Sequence, residues 1–121
     1  MHNQSPARGA NSDAAVVGAD VADWLAQIFL EAEPQVQIAF RTAIAAGQPA
    51  KVAFEAHRLK GSAGAVGATA LAALCNEMEQ RTKVGSMDRV EDLFKSIDVE
   101  LRAVRAALER IRGAAAPLQR G

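Results

Sequence analysis

Apolar side chains recur at helical spacing along most of the chain, and this periodicity constrains the fold more than any other feature. The longest example alternates steps of four and three over about three heptads: Val90, Phe94, Ile97, Leu101, Val104, Leu108 and Ile111. No segment alternates apolar and polar residues as a half-buried strand does, and no Asn-Gly or Asp-Gly pair marks a hairpin. The sequence therefore predicts an all-α protein.

Glycine and proline divide the pattern into helices. The predicted order is a short helix over 20–32, a second from Pro34 to Gly47, a third from Pro49 to near Gly67, a fourth over 68–83, and a last helix after Gly85 with Ser86 as its N-cap. Short turns between helices favour an antiparallel up-down-up-down four-helix bundle, with the short additional N-terminal helix and its Trp24 capping one end.

The two ends of the chain differ in composition from the middle. Residues 1–18 are small and polar with few large apolar side chains, so they predict a flexible N-terminal arm. Residues 113–121 resemble a flexible tail, which leaves a single bundle over 19–112. His2 lies in the arm, where we expect no function for it.

Charge and cysteine content narrow the class of protein. Lys plus Arg and Asp plus Glu number 14 each, and this balance argues against a nucleic-acid or membrane-surface binder. The single cysteine excludes an intrachain disulfide and favours a reducing compartment. No apolar run has the length of a membrane span, and no signal peptide is evident. A cytoplasmic protein without direct membrane contact is expected, although a membrane-bound parent chain stays open.

One stretch, AHRLKGSAGAVGA at 56–68, does not fit a simple helix because glycine is unfavourable in a helix interior. At about 100° per residue the apolar residues of this helix lie opposite His57, whereas Gly61 and Gly64 lie beside it. Phe54 and Ala53 share that outer face. The glycines therefore predict a surface cleared for the close approach of another molecule.

Glu79 is the predicted partner of the histidine. His57 lies ten residues before Gly67 and Glu79 twelve after it, so in antiparallel helices they stand at nearly the same height. A hydrogen bond from Glu79 would hold one ring nitrogen and leave the other free as a nucleophile. Gln80 is the fallback partner. Lys60, one turn away, adds positive charge that an anionic oxygen can meet.

The chain lacks the other parts of a catalytic site. Cys75 falls on the core stripe, GSAGAVG does not fit a Walker loop, and no second histidine or cysteine spacing suggests a metal site. A nucleophile without catalytic machinery indicates a carrier that receives a phosphoryl group from one protein and yields it to another.

The stretch resembles the signature of the histidine-containing phosphotransfer (HPt) domain family, roughly H-x-[LI]-K-G-[SA]-[SA]-x-x-[LV]-G. The following helix, with L-x-x-L-C-x-x-M-E, and the preceding F-R-x-A-I-A-A-G are also similar to the family pattern, so the resemblance covers roughly 20–111. It implies that His57 is the phosphoryl acceptor, that Lys60 steadies the phosphoryl oxygens and that Gly61 leaves room for a receiver domain. Glu79 falls where many members place a glutamine or another hydrogen-bonding residue. It is a mild departure, because its negative charge disfavours a nearby phosphoryl group but stabilises a protonated ring.

The resemblance also implies the partners. These are receiver domains of response regulators and a hybrid sensor histidine kinase, with Mg²⁺ supplied by the receiver and no cofactor or metal of the chain's own. The receiver docking face would comprise Ala53, Phe54, Arg58, Gly61 and Gly64. The expected protein is a monomeric phosphohistidine carrier without kinase activity.

Three alternatives stay open at this point. The first is an adaptor that docks response regulators without being phosphorylated. The second is the phosphoryl-accepting domain of a larger histidine kinase, and the third is a plain structural bundle. The spacing of the last seam is also compatible with a dimer.

Overall fold

The computed structural model describes the backbone of residues 4–120 and the side chains of residues 21–113. In this part of the chain there are four helices and no strand: α1 Gln4–Ala45, α2 Pro49–Ala65, α3 Thr69–Lys83 and α4 Val90–Arg120. The all-helical prediction is confirmed. Within the described residues, no helix combines the length and the apolar character needed to cross a membrane.

The predicted break between a short N-terminal helix and a second helix at Pro34 is wrong. Pro34 lies inside the continuous helix α1, so no separate helix caps the bundle, and Trp24 is 58% exposed rather than packed in a cap. Proline in a helix interior costs about 3 kcal/mol because it removes one hydrogen bond and crowds the preceding turn. Phe29 before the proline and Phe40 after it are both buried in the core, and their burial offsets this cost and keeps α1 continuous.

The backbone of the two chain ends is helical where it is described. α1 begins at Gln4, within the segment for which composition predicts a flexible arm, and α4 continues to Arg120 through the predicted tail. Residues 1–3 and 121 lie outside the described backbone, and so does the prediction for His2. The flexibility of both ends stays a prediction.

All four helices contribute to one hydrophobic core. α1 packs against α2 and α4, and α3 packs against α2 and α4. The side chains that are buried almost completely include Phe40, Val52, Leu59, Leu71, Cys75, Met78, Val90, Ile97 and Leu101. The core stripe predicted for the histidine helix is confirmed at Val52, Ala56, Leu59 and Ala63. The seam of α4 is buried in its middle, whereas Ile111 near its end is 52% exposed.

Tight glycine turns set the alignment of the helices. Gly47 lies in the turn between α1 and α2 with φ of 64°, and Gly67 lies in the turn between α2 and α3 with φ of 78°. Both values fall in the left-handed region, which glycine adopts without steric cost. At the second turn the Ala68 N–H donates to the Ala63 carbonyl at 2.8 Å, which closes the end of α2. This turn fixes the register of α2 against α3.

The start of α4 differs from the prediction. Ser86 is not followed directly by the helix; its hydroxyl accepts a hydrogen bond from the Asp88 N–H at 3.2 Å, and α4 begins only at Val90. Arg89 has φ of 60°, which interrupts a helix that would otherwise have begun one turn earlier.

Candidate functional site

The packing of α2 against α3 brings His57 and Glu79 together. The imidazole Nδ1 lies 2.9 Å from Oε2 of Glu79. The His57 side chain keeps 67% of its surface exposed, whereas only 14% of the Glu79 side chain is exposed. The contact follows from the register set at Gly67, and Glu79 rather than the fallback Gln80 holds the ring.

Lys60 joins the same carboxylate from the next turn of α2. Its Nζ lies 2.7 Å from Oε1 of Glu79 and donates a hydrogen bond to Oδ1 of Asn76 at 3.3 Å. Glu79 therefore bridges the histidine and the lysine, one oxygen to each. Sequence reasoning missed Asn76. The available signal was its position three residues before Glu79, which in an antiparallel pair faces the turn of α2 that carries Lys60.

The charge of Glu79 determines which ring nitrogen is free. The hydrogen bond from Lys60 is the main cause that lowers the pKa of Glu79 below its ordinary value of 4.5; the contact with His57 adds to this, and partial burial opposes it. The carboxylate is therefore ionised at neutral pH and can only accept. In the neutral imidazole Nδ1 then carries the proton that it donates to Glu79, and Nε2 carries the lone pair.

The two glycines beside the histidine have no packing role inside the bundle. A Cβ added at Gly61 or at Gly64 would meet no atom within 4 Å, and neither residue has a positive φ. Both are exposed on α2. Neither backbone strain nor internal crowding requires glycine here, and a site of approach for another molecule stays the explanation for them.

The structure brings together two residues of the predicted docking face. Phe54 is 59% exposed, and the Arg58 guanidinium lies over its ring, 5.6 Å from the centroid. Glu55 pairs with Arg58 at 3.5 Å. Ala53, on the α3 side of the face, is half-buried.

The structure also has an apolar cleft that sequence reasoning did not find. It lies between α1 and α2, and its walls include Leu25, Ile28, Phe29, Val36, Ala65 and Val66. The other lining residues on the α2 side are Leu59 and Ser62. The signal in the sequence was obscured because the predicted break at Pro34 separated Ile28 and Phe29 from the helix that carries Val36.

Cys75 is not a second nucleophile. It is fully buried, and burial raises the pKa of its thiol to about 12, so the thiolate is not accessible at neutral pH. The interpretation of Cys75 as a small core residue is confirmed.

The helical bundle thus displays an exposed, hydrogen-bonded histidine beside a lysine. The sequence profile of the Hpt domain family matches residues 24–116. The chain therefore belongs to the Hpt domain family, whose members are phosphocarriers in two-component signalling. No curated protein and no solved structure matches the chain significantly.

Proposed function

We propose that the chain is a phosphorelay intermediate that accepts a phosphoryl group on Nε2 of His57 and passes it to an aspartate of a receiver domain. The observation that carries this proposal is the contact between Nδ1 of His57 and Glu79 at 2.9 Å on a side chain that is otherwise exposed. This contact orients the ring so that Nε2, the nitrogen that carries the lone pair in the neutral form, faces outward as the nucleophile.

In the accepting step the Nε2 lone pair attacks the phosphorus of a receiver aspartyl phosphate. The bond between phosphorus and the aspartyl oxygen breaks, and its electrons stay on the aspartate carboxylate. No proton has to move, because Nδ1 already carries one. The phosphorylated ring gains positive charge, which the ionised Glu79 beside Nδ1 stabilises. In the donating step the N–P bond breaks, its electrons return to Nε2, and the phosphoryl group joins the next aspartate.

Lys60 would balance the charge of the phosphoryl oxygens. Its ammonium carries three N–H donors; it forms an ion pair with Glu79 and donates one hydrogen bond to Asn76. The Glu79 carboxylate would repel the phosphoryl oxygens. It also holds the Lys60 ammonium one turn from His57, and this positive charge offsets the repulsion. Mg²⁺ would be bound by the receiver and would neutralise phosphoryl oxygens there.

The docking face proposed for the receiver comprises Ala53, Phe54, Arg58, Gly61 and Gly64. Exposure of Phe54 and the open space at both glycines support it. A hybrid sensor histidine kinase would supply the first receiver, and a monomeric cytoplasmic carrier fits this exchange between partners.

An up-down-up-down order of the helices is part of the same proposal. In the contacts between α2 and α3, the later residue on α2 pairs with the earlier residue on α3. The ion pairs between α1 and α4 follow the same order: they are Asp23–Arg112 and Glu33–Arg105. Such pairing is typical of antiparallel neighbours.

Transfer of label tests the proposal. A receiver domain labelled with ³²P-acyl phosphate is mixed with the chain and Mg²⁺, beside His57→Gln and, as a matched control for the other histidine, His2→Gln. We expect alkali-stable, acid-labile label on the native chain and on His2→Gln, and none on His57→Gln. Absence of label from several receivers, with helical circular dichroism intact, would contradict the proposal and favour an adaptor.

A further inference from the structure

We infer that Asn76 is a positioning residue that keeps Lys60 on the site while His57 carries the phosphoryl group. The inference rests on the proposed function and adds a residue to it. Its basis is the hydrogen bond from Lys60 Nζ to Asn76 Oδ1 at 3.3 Å, on the same helix face as Glu79.

Glu79 has two partners, and phosphorylation changes the balance between them. In the unphosphorylated protein one of its oxygens lies 2.9 Å from the His57 imidazole and the other lies 2.7 Å from the Lys60 ammonium. Phosphorylation at Nε2 makes the ring cationic and strengthens its attraction for the carboxylate. The hold of Glu79 on Lys60 weakens at the moment when Lys60 is needed near the phosphoryl oxygens.

Asn76 provides a second anchor whose strength does not depend on that charge. Its amide oxygen is neutral, so it accepts from Lys60 without placing another negative charge beside the phosphoryl group. A long lysine side chain that is held at two points loses less rotamer freedom when it engages an anion. The third N–H of the ammonium is then left for a phosphoryl oxygen.

The side chain of Asn76 is exposed, so its truncation is not expected to disturb the core. A matched control is Gln80→Ala, which removes another exposed amide from α3, one whose side chain forms no hydrogen bond with Lys60 or His57. Asn76→Asp retains an oxygen acceptor for Lys60 and adds a negative charge.

The experiment measures the rate of phosphorylation of His57 by phosphoramidate, with ammonia as the leaving group, so that receiver docking does not enter. We expect Asn76→Ala to slow the reaction by about threefold to tenfold, and Gln80→Ala to leave it unchanged. In a Lys60→Ala background the Asn76→Ala change should have no further effect, because Asn76 acts through Lys60. Asn76→Asp should retain the Lys60 ammonium signal in ¹⁵N NMR, yet accept the phosphoryl group more slowly than the native chain.

The outcomes separate this inference from the proposed function. If the native chain is labelled on His57 but Asn76→Ala reacts at the native rate, or slows the reaction equally with and without Lys60, only the role of Asn76 is overturned. If His57→Gln is labelled as fast as the native chain, the acceptor assignment itself fails, and the role of Asn76 fails with it.

Discussion

At the scale of single residues, the site is organised around one carboxylate that is shared by His57 and Lys60. Glu79 accepts from His57 with one oxygen and pairs with Lys60 through the other. A glutamine in this position would orient the ring equally well, but its neutral amide would not draw Lys60 toward the site or stabilise a cationic phosphoimidazole. The negative charge therefore has a use beyond orientation of the ring.

The lowered pKa of Glu79 predicts a pH dependence of stability. A carboxyl group whose pKa is lower in the folded than in the unfolded protein stabilises the fold above its ordinary pKa of 4.5, and this contribution is lost as the pH falls through the folded value. Urea unfolding of the unphosphorylated protein at pH 7 and at about pH 3.5 should show a smaller acid-induced loss of stability for Glu79→Gln than for the native chain. Equal losses in both proteins would contradict the pKa shift.

Sequence patterns located three members of this network and missed the fourth. His57, Lys60 and Glu79 could be predicted because helical angles and the position of the turn at Gly67 fix the height and face of each Cβ. Asn76 could not, because the end of a lysine side chain reaches over several ångströms and its direction depends on rotamers that spacing does not determine.

At the scale of helices, α2 carries glycines that lower its helix propensity and leave open space on its outer face. Gly61 lies in the interior of α2, exposed and with free space around it, where alanine is the better helix former by up to about 1 kcal/mol. Selection for the helix alone would not retain glycine at this position. The cost is explained if a partner comes close to the backbone beside His57.

Gly61→Ala should therefore separate stability from docking. We expect the free energy of unfolding to rise by about 0.5–1 kcal/mol in urea, because the Cβ enters open space in the free protein. Phosphoryl transfer from a receiver should slow, whereas phosphorylation by phosphoramidate should not. A control is Lys51→Ala, an exposed change nearer the start of α2. Unchanged receiver transfer in Gly61→Ala would show that the glycine is not needed for approach.

In α1, tertiary packing overrides the local preference of proline for the first turn of a helix. Proline at a first helical turn is a sound signal, and it predicted a helix start at Pro34. The structure instead continues α1 through Pro34, because buried residues on both sides of it pack into the same core. A local signal of this kind carries no information about tertiary contacts, which decide the outcome here.

Pro34→Ala tests whether the helix is continuous. The exposed Pro34 removes one backbone hydrogen bond from the interior of α1, so alanine should restore it and stabilise the protein by about 1–3 kcal/mol. The measurement is urea unfolding followed by circular dichroism, with Gln35→Ala as a control at the next exposed position. A loss of stability would indicate that the chain needs the proline at a true break between two helices.

At the scale of the whole molecule, the pairing of α1 with α4 joins the two chain-terminal helices. Periodicity predicted an apolar seam on α4 but not the polar contact beside it, in which Arg105 binds the carboxylate of Glu33. Glu33 is only 4% exposed, while 42% of the Arg105 side chain is exposed. Seventy-two residues separate the partners, and no local pattern relates positions so distant in sequence.

Removal of Arg105 should be more harmful than removal of both partners. Arg105→Ala leaves a buried carboxylate whose remaining hydrogen-bond donor is Gln37, and we expect a loss of about 2 kcal/mol, reduced from the value for a fully buried pair because Arg105 is partly exposed. The double variant Glu33→Leu, Arg105→Met removes the charge together with its partner and should lie within about 1 kcal/mol of the native chain.

Arg102→Ala is the matched control, because Arg102 pairs with Asp98 on its own helix and is 72% exposed. Urea unfolding of the four proteins at neutral pH measures the differences. If the double variant is as unstable as Arg105→Ala, the ion pair itself holds α1 against α4. If it recovers, apolar packing holds the two helices together, and the pair serves to neutralise the buried Glu33 carboxylate of α1.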